Sequence, residues 1–200
     1  MPGSASVRRC ALRLALATLM APGVAAAATY LTQAQALAEA FPGARIERRP
    51  LALTPDQARR VEGRARVKLP SRLVTAYPAW RGDSLAGTAF FESRLVRTMP
   101  GVFMVVIAPD TTIARIEVLA FHEPPDYRPP VRWLEGFARR RLPAAAAKDR
   151  LWPAGDLRNL AGATLSARSV TESARLALAL YETVVVPTLA GPRPLPREAR

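Results

Sequence analysis

Thiol chemistry is all but missing from this chain, because Cys10 is its single cysteine. Histidine occurs once, at His122, and lysine only as Lys68 and Lys148, so arginine carries nearly all of the positive charge. Long apolar runs are also lacking. The longest, Leu14 to Val24, follows Arg8, Arg9 and Arg13 and ends in Ala25-Ala26-Ala27-Ala28. A basic start, a short apolar centre and small residues at the end describe a secretory leader. The run is too short and too alanine-rich for a membrane span. Residues 1–28 are therefore read as a signal peptide, with the mature chain starting around Thr29 and the protein periplasmic or otherwise exported. An uncleaved leader acting as a membrane tether is the alternative.

Removing the leader removes Cys10, and disulfides, a cysteine nucleophile and cysteine-ligated metal go with it. No lipobox-like arrangement surrounds Cys10, so it is not read as a lipid anchor. No metal ligands are assigned. Losing three arginines takes the formal charge from +13 to +10. A pI near 11.4 would suggest nucleic acid in a cytosolic protein. Export turns that expectation away from nucleic acid and towards anionic membrane surfaces, acidic protein partners or an anionic cofactor.

The mature chain divides into an N-terminal helical region (29–83), a mixed core (84–188) and a proline- and charge-rich tail (189–200) expected to be disordered. Thr32 and Gln35, then Thr54 and Gln57, have the spacing of capping boxes, predicting helices that end at Pro42-Gly43 and near Ala65. Runs rich in β-formers at 88–96, 102–108 and 113–121 are separated by turn residues and predict an antiparallel meander. Ile113, Ile116, Val118 and Ala120 do not alternate cleanly, which predicts a bulge or burial on both faces. His122-Glu123-Pro124-Pro125-Asp126-Tyr127 reads as extended, because prolines follow directly. Ala144 to Lys148 is a short helix or linker, and a terminal helix is predicted from about Ser166 to Val184. The order of elements gives an α+β class, a small antiparallel sheet packed with helices.

The segment Asn159-Leu160-Ala161-Gly162-Ala163-Thr164-Leu165-Ser166 carries most of the functional information. Gly162 and Ala163 allow close backbone approach. Thr164 offers a hydroxyl, Ser166 is the expected helix cap, and Val170, Ala174, Ala177 and Tyr181 follow at helical spacing. Free N–H groups at a positive helix end suit a phosphate. Read alone, the same residues also describe an ordinary capped loop.

This turn and helix resemble the signature of the FMN-binding domain family, which includes the periplasmic flavin subunits of Rnf- and Nqr-type complexes and the flavin domain of nitrous-oxide regulatory proteins. The resemblance extends upstream to His122-Glu123-Pro124-Pro125-Asp126-Tyr127 and to Trp133 and Phe137, over roughly residues 84–185. It implies FMN joined by a phosphoester bond to Thr164, installed from FAD by a dedicated flavin transferase. Gly162, Ala163, Leu165 and Ser166 would surround the phosphate, and His122 and Glu123 match a turn lying near the flavin. Two positions depart from the pattern: Asn159 stands where the family has an acid, and Ala161 where it has serine or threonine.

On this resemblance, Arg158 and Arg168 are candidates for charge-assisted phosphate contacts. Phe121, Tyr127 and Trp133 are candidates for an apolar wall beside the isoalloxazine. The implied role is electron transfer between a membrane-bound redox protein or complex and an acceptor, more a carrier than a substrate-converting enzyme, with peripheral membrane contact. Arg139-Arg140-Arg141 reads as a solvated face or as a dock for an acidic donor. Two rivals remain: a flavin-dependent oxidoreductase acting on a small acceptor, with His122 as its acid, and a basic exported binding module without cofactor.

Overall fold

The computed structural model describes residues 28–143 and 163–190, without the side chains of Ala28, Thr29 and Ala190. The leader up to residue 27, the Ala144–Lys148 segment, Arg158, Asn159, Ala161, Gly162 and the tail from Gly191 lie outside the described residues, whereas Leu189 and Ala190, expected in the disordered tail, are helical.

Seven strands form one antiparallel sheet: β1 (Ala28–Thr29), β2 (Arg45–Ile46), β3 (Arg49–Ala52), β4 (Leu73–Arg81), β5 (Ser84–Leu95), β6 (Pro100–Ile107) and β7 (Ile113–Phe121). Their order is β1-β7-β6-β5-β4-β2, with β3 also on β4. β2 and β3 lie end to end along one edge of β4, since Arg45 faces Trp80 and Arg49 faces Ala76 in a single register. The fold is α+β, as the element pattern predicts.

Both capping boxes form. Thr32 and Gln35 cap α1 (Gln33–Ala40), and Thr54 and Gln57 cap α2 (Pro55–Ala65), each side chain meeting the other residue's backbone N–H. α1 covers one face of the sheet, where Leu37 and Phe41 pack on Ala79, Ala89, Met104, Val106 and Leu119. The other face holds the main core, under α2 and α4 (Thr164–Leu180). α4 is buried nearly all round, with Val170, Ala174 and Leu176 to Leu180 fully enclosed. That is expected of a helix held between a sheet and a second helix. Buried Arg175 of α4 donates through Nε to the Ala65 carbonyl at the end of α2 (2.6 Å). Beyond α4 a π-helical turn (Tyr181–Val185) leads into α5 (Val186–Ala190), and Glu182 ties this turn to Arg64 of α2 (2.9 Å).

Three expectations need correction. The 29–83 region is not only helical, because it supplies β2, β3 and β4 to the same sheet and core. Pro78 obscures β4 in the sequence, since proline cannot donate within a ladder. The Pro78 carbonyl accepts from Glu47 N (3.0 Å). A residue's N–H and C=O point to the same side of a strand, so the missing donor falls at the break between β2 and β3. The 122–127 segment is not extended throughout: Pro125–Tyr127 forms a 3-10 turn, for which proline's fixed φ is suited at the first position. Last, α4 starts two residues earlier than predicted, at Thr164. The irregular β7 pattern is explained by two bulges, where Ala114 and Leu119 are each the extra residue against β6.

Candidate functional site at the start of helix α4

α4 opens without a side-chain cap. Its N-cap is Ala163, buried at φ −115° and ψ 30°. The first intrahelical bond runs from Ala167 N to the Ala163 carbonyl (3.0 Å). The N–H groups of Thr164, Leu165 and Ser166 therefore have no acceptor within the helix. Thr164 and Leu165 are exposed.

The cap expected of Ser166 does not form. Ser166 is the third residue inside the helix, a position whose side chain here turns inward. It is 1% exposed and its Oγ has no hydrogen-bond partner among the described residues. A buried hydroxyl without a partner costs about 1–3 kcal/mol, and it lies in the same turn as three N–H groups that the helix itself leaves without acceptors.

Polar contacts fix this helix end against the β5–β6 hairpin. Ser169 Oγ donates to the Leu95 carbonyl (3.3 Å). Arg94 Nη1 reaches Glu172 (3.3 Å), which also accepts from Arg168 Nε (2.8 Å). Arg168 is thus engaged by its own helix, one turn from Thr164. Its expected phosphate contact would compete with this i,i+4 pair.

The same end of the sheet holds the His–Glu turn. β7 ends with Phe121 opposite Gly101, just past the hairpin. Glu123 follows, buried, and its Oε1 accepts from the backbone N–H groups of Arg97 (3.1 Å), Thr98 (2.6 Å) and Met99 (2.8 Å). Burial raises the carboxyl's pKa, but these donors outweigh it and hold the group below its ordinary range. The carboxylate thus orders the hairpin tip. His122 is half-buried, and its Nδ1 meets the Pro100 carbonyl (2.9 Å). That nitrogen must carry the proton, because a carbonyl can only accept.

Of the three ring candidates, Phe121 is 2% exposed and belongs to the core. Trp133 packs edge-on to Phe137 (5.0 Å between centroids), where α3 (Val131–Glu135) buries it. Tyr127 alone is only half-buried, and the Arg97 guanidinium lies over its ring at 4.5 Å. The 139–141 arginine run is partly structural: Arg139 and Arg140 exchange backbone bonds with Ile113, and Arg140 Nε donates to the Gly136 carbonyl (2.6 Å). Arg141 is exposed.

The structure thus brings Ala163, Thr164, Leu165 and Ser166 to the same end as His122 and Glu123. Ser169, Glu172 and Arg94, which anchor that end, were not singled out from sequence, because Arg94 and Glu172 lie 78 residues apart with no local pattern joining them. Among the described residues no cluster of His, Cys, Asp and Glu has the makings of a metal site, and no helix is long and apolar enough to cross a membrane. Comparison with known protein families, with characterised proteins and with solved structures gave no match.

Proposed function

We propose that the protein is an exported electron carrier holding FMN through a phosphoester on Thr164. The observation that carries this reading is the start of α4. An exposed threonine hydroxyl occupies the first helical position, three backbone N–H groups lack helical acceptors, and the buried Ser166 hydroxyl has no partner among the described residues. These residues fit a phosphate. The N–H groups and the helix dipole favour negative charge, Ser166 would donate to a phosphate oxygen, and Ala163 has no side chain beyond its methyl group to obstruct approach. Exposure of Thr164 suits modification by a separate flavin transferase, since no base beside the hydroxyl is then required. The bound FMN would supply the redox chemistry. The chain's own contribution is to fix the phosphate and to set the hairpin, through Glu123 and Ser169, as a rigid flank. The partners implied are the transferase and a membrane-bound redox protein, with the arginine-rich surface favouring acidic donors or the membrane itself.

The protein co-produced with a flavin transferase should be yellow and should stay fluorescent through denaturing electrophoresis. Thr164→Val should lose that fluorescence while keeping its circular dichroism. A colourless wild type with no FMN-sized mass increase would overturn the covalent reading and favour the cofactor-free binding module. Colour released on denaturation would indicate FMN held without the ester.

A further inference from the structure

The sheet is split on its β4–β5 seam. The ladder between these strands is regular through Tyr77↔Ala89 and Ala76↔Phe90, and stops there. Both strands continue: β4 begins three residues earlier, at Leu73, held by β3, and β5 runs on to Leu95, held by β6. The two diverge as a fork, and a cavity of about 410 Å³ lies between the prongs. Val74 and Phe90 line it, the Leu69–Ser71 loop closes one side, and Leu180 of α4 contributes to its wall.

Among the described residues, one charged side chain lines this cavity, that of Glu92. Its side chain is 9% exposed, and no hydrogen-bond donor reaches its carboxyl among the described residues. Among the described residues the closest cation is Arg94, whose Nη2 stands 3.8 Å from the carboxyl, an ion pair too long for a hydrogen bond, while its Nη1 reaches Glu172. A buried carboxyl without donors is costly, and burial lifts its pKa to about 7 against the pull of Arg94. Ser71, Thr75, Tyr77 and Ser93 add hydroxyls around the rim. The cavity's volume falls in the range of small-molecule sites, which join apolar walls to a few polar groups.

We propose that the β4–β5 fork is a binding site for a small organic cation, an amine whose ammonium group pairs with Glu92 and whose apolar body lies between Val74, Phe90 and Leu180. An ammonium supplies the donors the carboxylate lacks, and the apolar walls require a body that is not fully hydrated. The site is separate from the start of α4, and its occupancy does not depend on any flavin.

Benzylamine is the probe, with benzyl alcohol as its neutral counterpart, titrated at pH 8 into the full protein and followed by amide chemical shifts. Benzylamine should bind saturably, with shifts at Val74, Thr75, Phe91 and Ser93, and at least tenfold more tightly than benzyl alcohol. Glu92→Gln, which keeps the shape of the side chain, should weaken benzylamine binding at least tenfold and bring the two probes level. Glu92→Asp should retain the preference for the amine in weakened form. Absence of saturable binding, equal affinity for both probes, unchanged binding in Glu92→Gln, or shifts confined to other surfaces would each overturn the assignment.

Discussion

Replacing Glu123 probes how the hairpin beside α4 is held. One carboxylate oxygen receives three backbone N–H groups and, at 3.3 Å, the Thr98 hydroxyl. Hydrogen bonds to a charged group contribute about 1.5–3 kcal/mol each when their loss leaves partners buried. Here Arg97, Thr98 and Met99 are exposed, so water replaces much of what is lost. Glu123→Ala should therefore cost about 2 kcal/mol, and Glu123→Gln, whose amide oxygen still accepts, about 1 kcal/mol. The two variants also differ from wild type in pH dependence. The folded carboxyl titrates below its ordinary value of 4.5, so the unfolded chain binds the proton more readily. The residue's contribution is then complete above pH 4.5 and is lost as pH falls through the lower folded value. Urea unfolding between pH 3 and 7 measures both effects, with the variants converging on wild type at the acid end. A loss below 0.5 kcal/mol at pH 7 in Glu123→Ala, or a gap between variant and wild type that does not narrow with acid, would refute the proposed role.

Ser166→Ala removes a buried hydroxyl that has no partner among the described residues, so thermal melting of the flavin-free protein should be unchanged or rise slightly, while flavin incorporation, read by in-gel fluorescence, should fall. Gly87→Ala should destabilise by roughly 2 kcal/mol or more in urea unfolding. A Cβ there would lie 3.0 Å from both the Ile107 carbonyl and the Phe41 ring, at a φ of +157°. Glu92→Gln should stabilise the protein at pH 8 and not at pH 4. The folded carboxyl keeps its proton up to about pH 7, above the unfolded chain, so stability declines as pH rises from about 4.5 to 7, and the amide abolishes that decline in equilibrium unfolding.

What was legible in the sequence was local. The capping boxes at Thr32 and Thr54 need only four residues each, and both helices form where they were expected. The meander was legible from alternating β-formers bounded by turns, and the irregular β7 pattern became two bulges. β4 is hidden because Pro78 interrupts an otherwise strand-like run, and the proline is tolerated only through a gap in the neighbouring edge that no local window contains. The same limit applies at the site. The helix with its hydroxyls is visible as a motif, but the sequence points to Ser166 as the cap, and the structure buries it at the third helical position, because helix starts are weakly marked when the capping residue is alanine. The resemblance marks Glu123 but gives no sign of the three N–H groups its oxygen accepts from, which lie 24 to 26 residues earlier in the chain.

The two-residue strand β1 has a geometric consequence for attachment. Ala28 pairs with Phe121 and Thr29 with Ala120, and the Tyr30 and Leu31 N–H groups both reach the Leu119 carbonyl. The chain thus enters the fold at the end of β7, the end that holds His122, Glu123 and the start of α4. Any attachment made through the N-terminal side of Ala28 is therefore made at the end of the sheet that also holds Thr164.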